Sequence, residues 1–276
     1  FQATRILGAP LFIGFMAPIM VHLWFLYYLV WMILGFALIA WLVNKFNLKP
    51  VPAWMVRSPW LWLPALTLLP QCANGLAGIM MGLPIIGPDT FGGVLPWPPQ
   101  LIYYGIFFAF GALCYGREEF ETHIGKRWRL YFALALPAML AGMHWVELRN
   151  AAYNAGWETN REEIIRHHVI SSVFQMLYAW LMIFGCIGFF RRWFSGENAK
   201  VRYASDASYW IYIAHMPLTM APQYWVSQWL WPSFVKFLFV CGLTVGILVL
   251  IYEYAIRYTW VGTLLNGKRT REFAEG

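Results

Sequence analysis

The sequence predicts an all-α protein, a polytopic helical bundle embedded in a membrane. Three observations lead there. Of 276 residues, 60% are hydrophobic and 12% charged, whereas an average soluble domain carries about 25% charged residues, so a soluble core has no room for this much apolar side chain. The apolar residues fall in runs of about 20, the length at which a helix crosses the hydrocarbon layer. The connections between the runs alternate between basic and non-basic, the pattern of a chain that passes to and fro across a bilayer.

The elements follow in chain order. The stretch 6–20 (ILGAPLFIGFMAPIM) is apolar but short. It is either a short or tilted span that follows Arg5 or the remainder of a longer helix and loop. Seven full spans come next, at 22–43, 60–80, 99–116, 129–148, 168–190, 205–229 and 234–257. Lys45, Lys49 and Arg57 mark the 44–59 connection, and Arg191, Arg192, Lys200 and Arg202 mark 191–204. The connection 117–129 is mixed, and the tail carries Arg257, Lys268, Arg269 and Arg271. The alternate connections hold Asp89 alone, a mixed acidic loop (149–167), and no charge (230–233). The positive-inside rule puts the basic set and the C-terminus in the cytoplasm. Tyr and Trp at many span ends form the interfacial belts. The loop 81–98, rich in Gly and Pro but hardly polar, either dips back into the membrane or runs as a plain extracytoplasmic loop. With no internal repeat, the chain reads as a single membrane-embedded domain over 1–276.

Several function classes drop out. The net charge is +7, but the basic residues sit in short clusters between spans and form no stripe on a polar domain, so no nucleic-acid partner is expected. Cys72, Cys114, Cys186 and Cys241 are widely spaced inside apolar runs, which reads as buried thiols and not a disulfide or metal framework. There is no G-x-x-x-x-G-K-[ST], no G-x-S-x-G and no H-E-x-x-H. No metal site is expected.

Ionisable residues inside spans are costly and point to function. His215 lies about 15 Å along a span that starts near Ser205, with Ser205 as N-cap and Asp206 in the first turn. Pro217, two residues on, has no N–H to give the carbonyl of Ile213. A neutral imidazole there acts as a general base or substrate contact, or else locks the bundle through an interhelical hydrogen bond. His22 opens the first full span at the outer interface. Glu253 and Arg257 form an i,i+4 ion pair. On the outer side, His144, Glu147, His167 and His168 make a polar surface that meets a hydroxylated acceptor, or a solvated loop.

Four segments in register resemble the type-3 membrane acyltransferases: HLWFLYYLVWM (22–32), LIYYGIFFAFGALCYG (101–116), RYASDASYWIYIAHMPL (202–218) and LIYEYAIRYTWVGTLLNGKR (250–269). The resemblance implies about ten helices in the intact family, set in a bacterial inner membrane. It implies transfer of an acyl group from a cytoplasmic acyl-CoA to a hydroxyl of an extracytoplasmic glycan, and succinyl transfer to periplasmic glucan in the glucan branch. Acyl-CoA, succinyl-CoA included, is then a co-substrate, with no bound cofactor. TRILGAP (4–10) is similar to the end of the family's basic R-x-x-R region, of which only Arg5 is present. The first two helices, which carry the family's proposed catalytic histidine, are expected to lie before Phe1. On this reading His215 and His22 face the reaction cavity, Arg5 and Arg57 attract CoA phosphates, and the bilayer, the donor, the glycan and a homo-oligomeric copy are the partners. The alternatives are a transporter or flippase for a lipid-linked or acylated molecule, and an inactive truncated subunit.

Overall fold

The computed structural model describes residues 21–49, 51–81, 86–87, 95–196 and 198–267. Arg5, the stretch 6–20, most of the 81–98 loop with Asp89, and the tail residues Lys268, Arg269 and Arg271 lie outside the described residues. A 3-10 turn, Val21–Leu23, leads into α1 (Trp24–Lys45). Then come α2 (Ala53–Arg57), a 3-10 turn (Pro59–Leu61), α3 (Leu63–Met80), α4 (Pro98–Cys114), α5 (Glu118–His123), α6 (Trp128–Ala155) and α7 (Trp157–Phe194). The chain continues through α8 (Ala199–Ser227), α9 (Ser233–Ile251), a π-turn (Tyr252–Ile256) and α10 (Trp260–Asn266). Each of the seven predicted spans falls on a helix. By length and composition, five helices can cross a membrane: Trp24–Lys45, Leu63–Met80, Trp128–Ala155, Trp157–Trp193 and Ser233–Ile256. Helix α4 is apolar but shorter, at 17 residues, and α8 is long but carries more polar side chains. The protein is an all-α, multi-pass membrane bundle. Its outward faces suit lipid: Leu34, Leu38 and Ile39 on α1 and Phe234, Phe237 and Leu238 on α9 are exposed, an apolar area that water would not tolerate.

The chain forms two compact units, Phe1–Trp193 and Phe194–Gly276. In the first, apolar layers lie at both ends of the helices. At the end of the basic connections, Val56, Leu63, Phe110, Cys114, Ile124, Met176, Trp180 and Phe184 form the main core. Trp180 anchors it. Its ring stacks on Phe107 with centroids 4.5 Å apart and meets Phe110 edge-on at 5.7 Å. Its Nε1 donates to Thr67 Oγ1 at 3.1 Å, the partner a buried indole N–H needs. The same end is clamped by one side chain: Arg191 Nη1 donates to the carbonyls of Phe120, Glu121 and Ile124 at 3.2, 2.9 and 2.9 Å, at and just past the end of α5. Gly125 (φ +81°) makes the turn into α6 and lies on Gly188, where a Cβ would stand 2.6 Å from the Gly188 Cα. At the opposite, far end a smaller layer joins Ile79 of α3, Ala152 of α6 and Ile164 of α7.

In the second unit α9 packs along α8, and α10 touches both α8 and the π-turn. The cap of α8 is Asn198, whose side chain accepts from the N–H groups of Lys200 and Val201 at 2.9 and 3.3 Å. This corrects the expected Ser205 cap: Ser205 lies inside the helix, and Asp206 beyond its first turn, because Asn198 already satisfies the first N–H groups. The helix runs through Pro217 and Pro222. Pro222 has no N–H for the Leu218 carbonyl, and Thr244 Oγ1 of α9 donates to that carbonyl instead, at 3.2 Å. Helix α9 ends in a π-turn, with Arg257 N donating to Tyr252 O at 2.8 Å. The expected Glu253–Arg257 pair forms, with Arg257 Nη1 2.8 and 3.1 Å from the two carboxylate oxygens. The guanidinium lies over the Tyr203 ring at 5.0 Å. Asn266 Nδ2 donates to Asp206 O at 2.9 Å and to Tyr252 Oη at 3.2 Å, which ties α10 back to α8.

Candidate functional site

Between the two apolar layers of the first unit lies a polar one. Three helices build it, each with polar residues at helical spacing on its buried stripe. On α3 these are Thr67, Gln71 and Asn74. On α6 Arg149 occupies the stripe Ala135, Ala138, Gly142, Val146, Ala152. On α7 they are His167, His168, Ser171 and Ser172. Arg149 is 1% exposed and His168 3%. One helical turn outward from Gly75, Arg149 and His168 come Ile79, Ala152 and Ile164, the small apolar layer of the far end.

The bonds inside this layer fix several groups. Gln175 Oε1 accepts from Gln71 Nε2 at 3.1 Å and from the Gly87 N–H at 2.7 Å, so the connection after α3 reaches the layer. His168 Nε2 lies 2.9 Å from Cys72 O. A carbonyl only accepts, so Nε2 carries the proton and the lone pair of the neutral ring is on Nδ1. Gly75 makes room for the ring: a Cβ there would collide with it, 3.0 Å from Nε2 and 3.1 Å from Nδ1. Arg149 donates through Nε and Nη2 to Asn150 Oδ1, at 3.2 and 3.0 Å. Gln71 Oε1, Asn74 Nδ2, Arg149 Nη1, His167 Nδ1 and His168 Nδ1 are buried with no hydrogen-bond partner among the described residues. Buried polar atoms are rarely left unmet, and in an apolar slab each costs several kcal/mol. Most of the buried atoms of this kind fall in this one layer, which makes it the candidate site.

The residues singled out from sequence are dispersed. His167 and His168 belong to this layer and are buried, not on a polar surface. His144 and Glu147 are exposed, and Trp145 lies between the two imidazoles, its ring 6.0 Å from His144 and 5.2 Å from His167. His167 Nε2 is 3.8 Å from Glu163 Oε1. His22 sits half-buried in the 3-10 turn before α1. Arg57, with a side chain 56% exposed, pairs with Glu119 at 3.5 Å. At the basic end Arg117, whose Nη1 donates to Val51 O at 3.1 Å, lines a cavity of about 390 Å³ with Phe107, Phe110, Cys114, Phe120 and Trp180. In the second unit His215 is half-buried well inside α8, with Nδ1 2.7 Å from Tyr212 O. Nδ1 is therefore the protonated nitrogen and Nε2 the basic one. Because α8 starts at Ala199, His215 lies about 24 Å along it and not 15 Å. Cys241 is exposed, against the expectation of a buried thiol. No group of three His, Cys, Asp or Glu that could hold a metal occurs among the described residues.

The helices define a multi-pass membrane protein, and the polar layer of the first unit is its candidate site. Residues 2–253 match the family model described as an acyltransferase domain, and the chain belongs to that family. It is similar to glucans biosynthesis protein C of Escherichia coli O157:H7 (strain EC4115 / EHEC), 28% identical over 192 residues, which cover 67% of this chain and 44% of that protein. The protein of the same description from Escherichia coli O17:K52:H18 (strain UMN026 / ExPEC) is 29% identical over 173 residues, 61% of this chain and 41% of its own. The chain thus spans less than half the length of the curated relatives it matches. No solved structure matches it.

Proposed function

We propose that the protein is a membrane O-acyltransferase that moves an acyl group, succinyl in the first instance, from acyl-CoA to a hydroxyl of a glycan such as periplasmic glucan. The observation that carries this reading is the buried polar layer around His168 and Arg149, in a chain of the acyltransferase family. The names of its relatives support a glucan as acceptor. In the reaction the hydroxyl oxygen attacks the thioester carbonyl, an ester C–O bond forms and the C–S bond breaks. The hydroxyl proton passes to a base and ends on the departing CoA thiolate. Among the described residues His168 suits the base, in place of the histidine that the resemblance puts before Phe1: its Nε2–H is committed to the Cys72 carbonyl, so Nδ1 is the nitrogen that receives a proton. Burial keeps water away from the group it serves.

The donor belongs at the basic end, in the cytoplasm, and the acceptor at the far end. Arg57 and Arg117 supply positive charge beside the aromatic cavity there, suited to CoA phosphates; Arg5 would add to it. His22, His144, Glu147 and His167 extend the polar environment for the acceptor. In the second unit His215, whose Nδ1 is committed to the Tyr212 carbonyl, is a separate candidate. The test is reconstitution of the protein encoded by the complete gene into vesicles, with labelled succinyl-CoA on one side and glucan on the other. Alkali-labile label on the glucan is the expected result. Label that crosses without becoming ester-linked would make the protein a transporter, and no label on either count would refute transfer.

A further inference from the structure

We infer that Arg149 anchors a buried anion site that takes a single carboxylate carried by one of the reactants. The inference deepens the acyl-transfer reading, because it assigns a chemical class to what the polar layer binds. Arg149 is 1% exposed, yet it makes no ion pair among the described residues. Its bonds go to a neutral amide, Asn150 Oδ1, and Nη1 has no acceptor among the described residues. A guanidinium stays charged wherever it is placed, and a buried charge without a counter-charge is strongly destabilising. A missing anion resolves both the charge and the open N–H groups.

The size of the anion follows from the charges present. Arg149 is the one Lys or Arg among the buried residues described, so the layer balances one negative charge. A carboxylate supplies one charge and two oxygens in a plane, the geometry a guanidinium edge matches. A phosphate dianion would bring a second charge that nothing else in the layer meets. Asn74 Nδ2, a second buried donor without an acceptor among the described residues, belongs to the same layer and adds hydrogen bonding without charge. Two sources carry this chemistry: the free carboxylate of a dicarboxylic acyl group, and an acidic sugar in the acceptor.

Thermal unfolding of the purified protein in detergent, at constant ionic strength and chloride, tests the site with succinate, glucuronate and the neutral succinamide as probes. A saturable rise of roughly 5 °C or more in Tm at a hundredfold excess over Kd is expected with succinate, glucuronate or both, and none with succinamide. Succinate alone assigns the site to the acyl group, and glucuronate alone to the acceptor. Arg149→Gln should abolish the rise and Arg149→Lys should keep part of it. Equal shifts with succinamide, or a full shift in Arg149→Gln, would overturn the proposal. So would a wild-type protein with no shift in which Asp89→Asn creates one, since the carboxylate would then be the chain's own. Should Arg149→Gln fail to fold, the comparison of succinate with succinamide on the wild type decides alone. Because no step of this assay needs transfer, a positive result here with no ester label on glucan would sink the transferase reading and leave the anion site standing, and the reverse outcome would do the opposite.

Discussion

Gly75→Ala is the smallest change that reaches the centre of the polar layer. The added methyl would fall on the His168 ring, 3.0 Å from Nε2 and 3.1 Å from Nδ1 and closer still to the carbon between them. The ring must retreat by roughly 1 Å to regain van der Waals separation, which breaks the 2.9 Å bond to the Cys72 carbonyl. Loss of that bond, with its groups left buried, costs about 1–3 kcal/mol, and Ala for Gly inside a helix returns about 0.8–1 kcal/mol. The net change in stability is therefore small, on the order of 1 kcal/mol, a few degrees in Tm. Catalysis is far more sensitive, since a base displaced by about 1 Å loses on the order of 100-fold in rate. The assay is the rate of ester formation on glucan in reconstituted vesicles, with Tm measured on the same preparation. A Gly75→Ala protein that folds and transfers at the wild-type rate would refute the assignment of His168.

Other substitutions read the packing and the second unit. Thr244→Val should cost about 1–3 kcal/mol in thermal unfolding, because it removes the hydroxyl that meets the Leu218 carbonyl left by Pro222; an unchanged Tm would show that this carbonyl finds another donor. Trp180→Ala should cost about 3–5 kcal/mol, since the ring is 1% exposed at the heart of the main core; a loss near zero would contradict that placement. His215→Ala should lower transfer at least tenfold, with Tm measured on the same preparation. Survival of full transfer would make the histidine a packing feature.

The helices were legible because hydropathy reports the lipid slab. Each long helix grows from a predicted apolar run, but several continue past it. Helix α7 begins at Trp157 and α6 runs to Ala155, where the sequence suggested a polar loop over 149–167. Water at the interface does not stop a helix, and Glu, Arg and Ala are good helix formers. Arg149 was lost through that error. A loop arginine is unremarkable, whereas an arginine in register with Ala138, Gly142 and Val146 on a buried stripe is a candidate for the site. The spacing of Thr67, Gln71 and Asn74 within an apolar helix carried the same signal. The pairing of His168 with the Cys72 carbonyl joins residues 96 positions apart, and no local pattern discloses it. The cap of α8 was misplaced for a simpler reason: Ser205 and Asn198 are both competent caps, and the apolar run begins nearer the wrong one.

The central claim is that acyl transfer takes place in the polar layer, with His168 as proton acceptor. His168→Gln tests it most directly, since the amide retains a donor for the Cys72 carbonyl but has no basic nitrogen. The account predicts that transfer of labelled succinyl to glucan falls by roughly 10²–10⁴-fold while Tm stays within a few degrees of the wild type. A folded His168→Gln protein that transfers at the wild-type rate would contradict it.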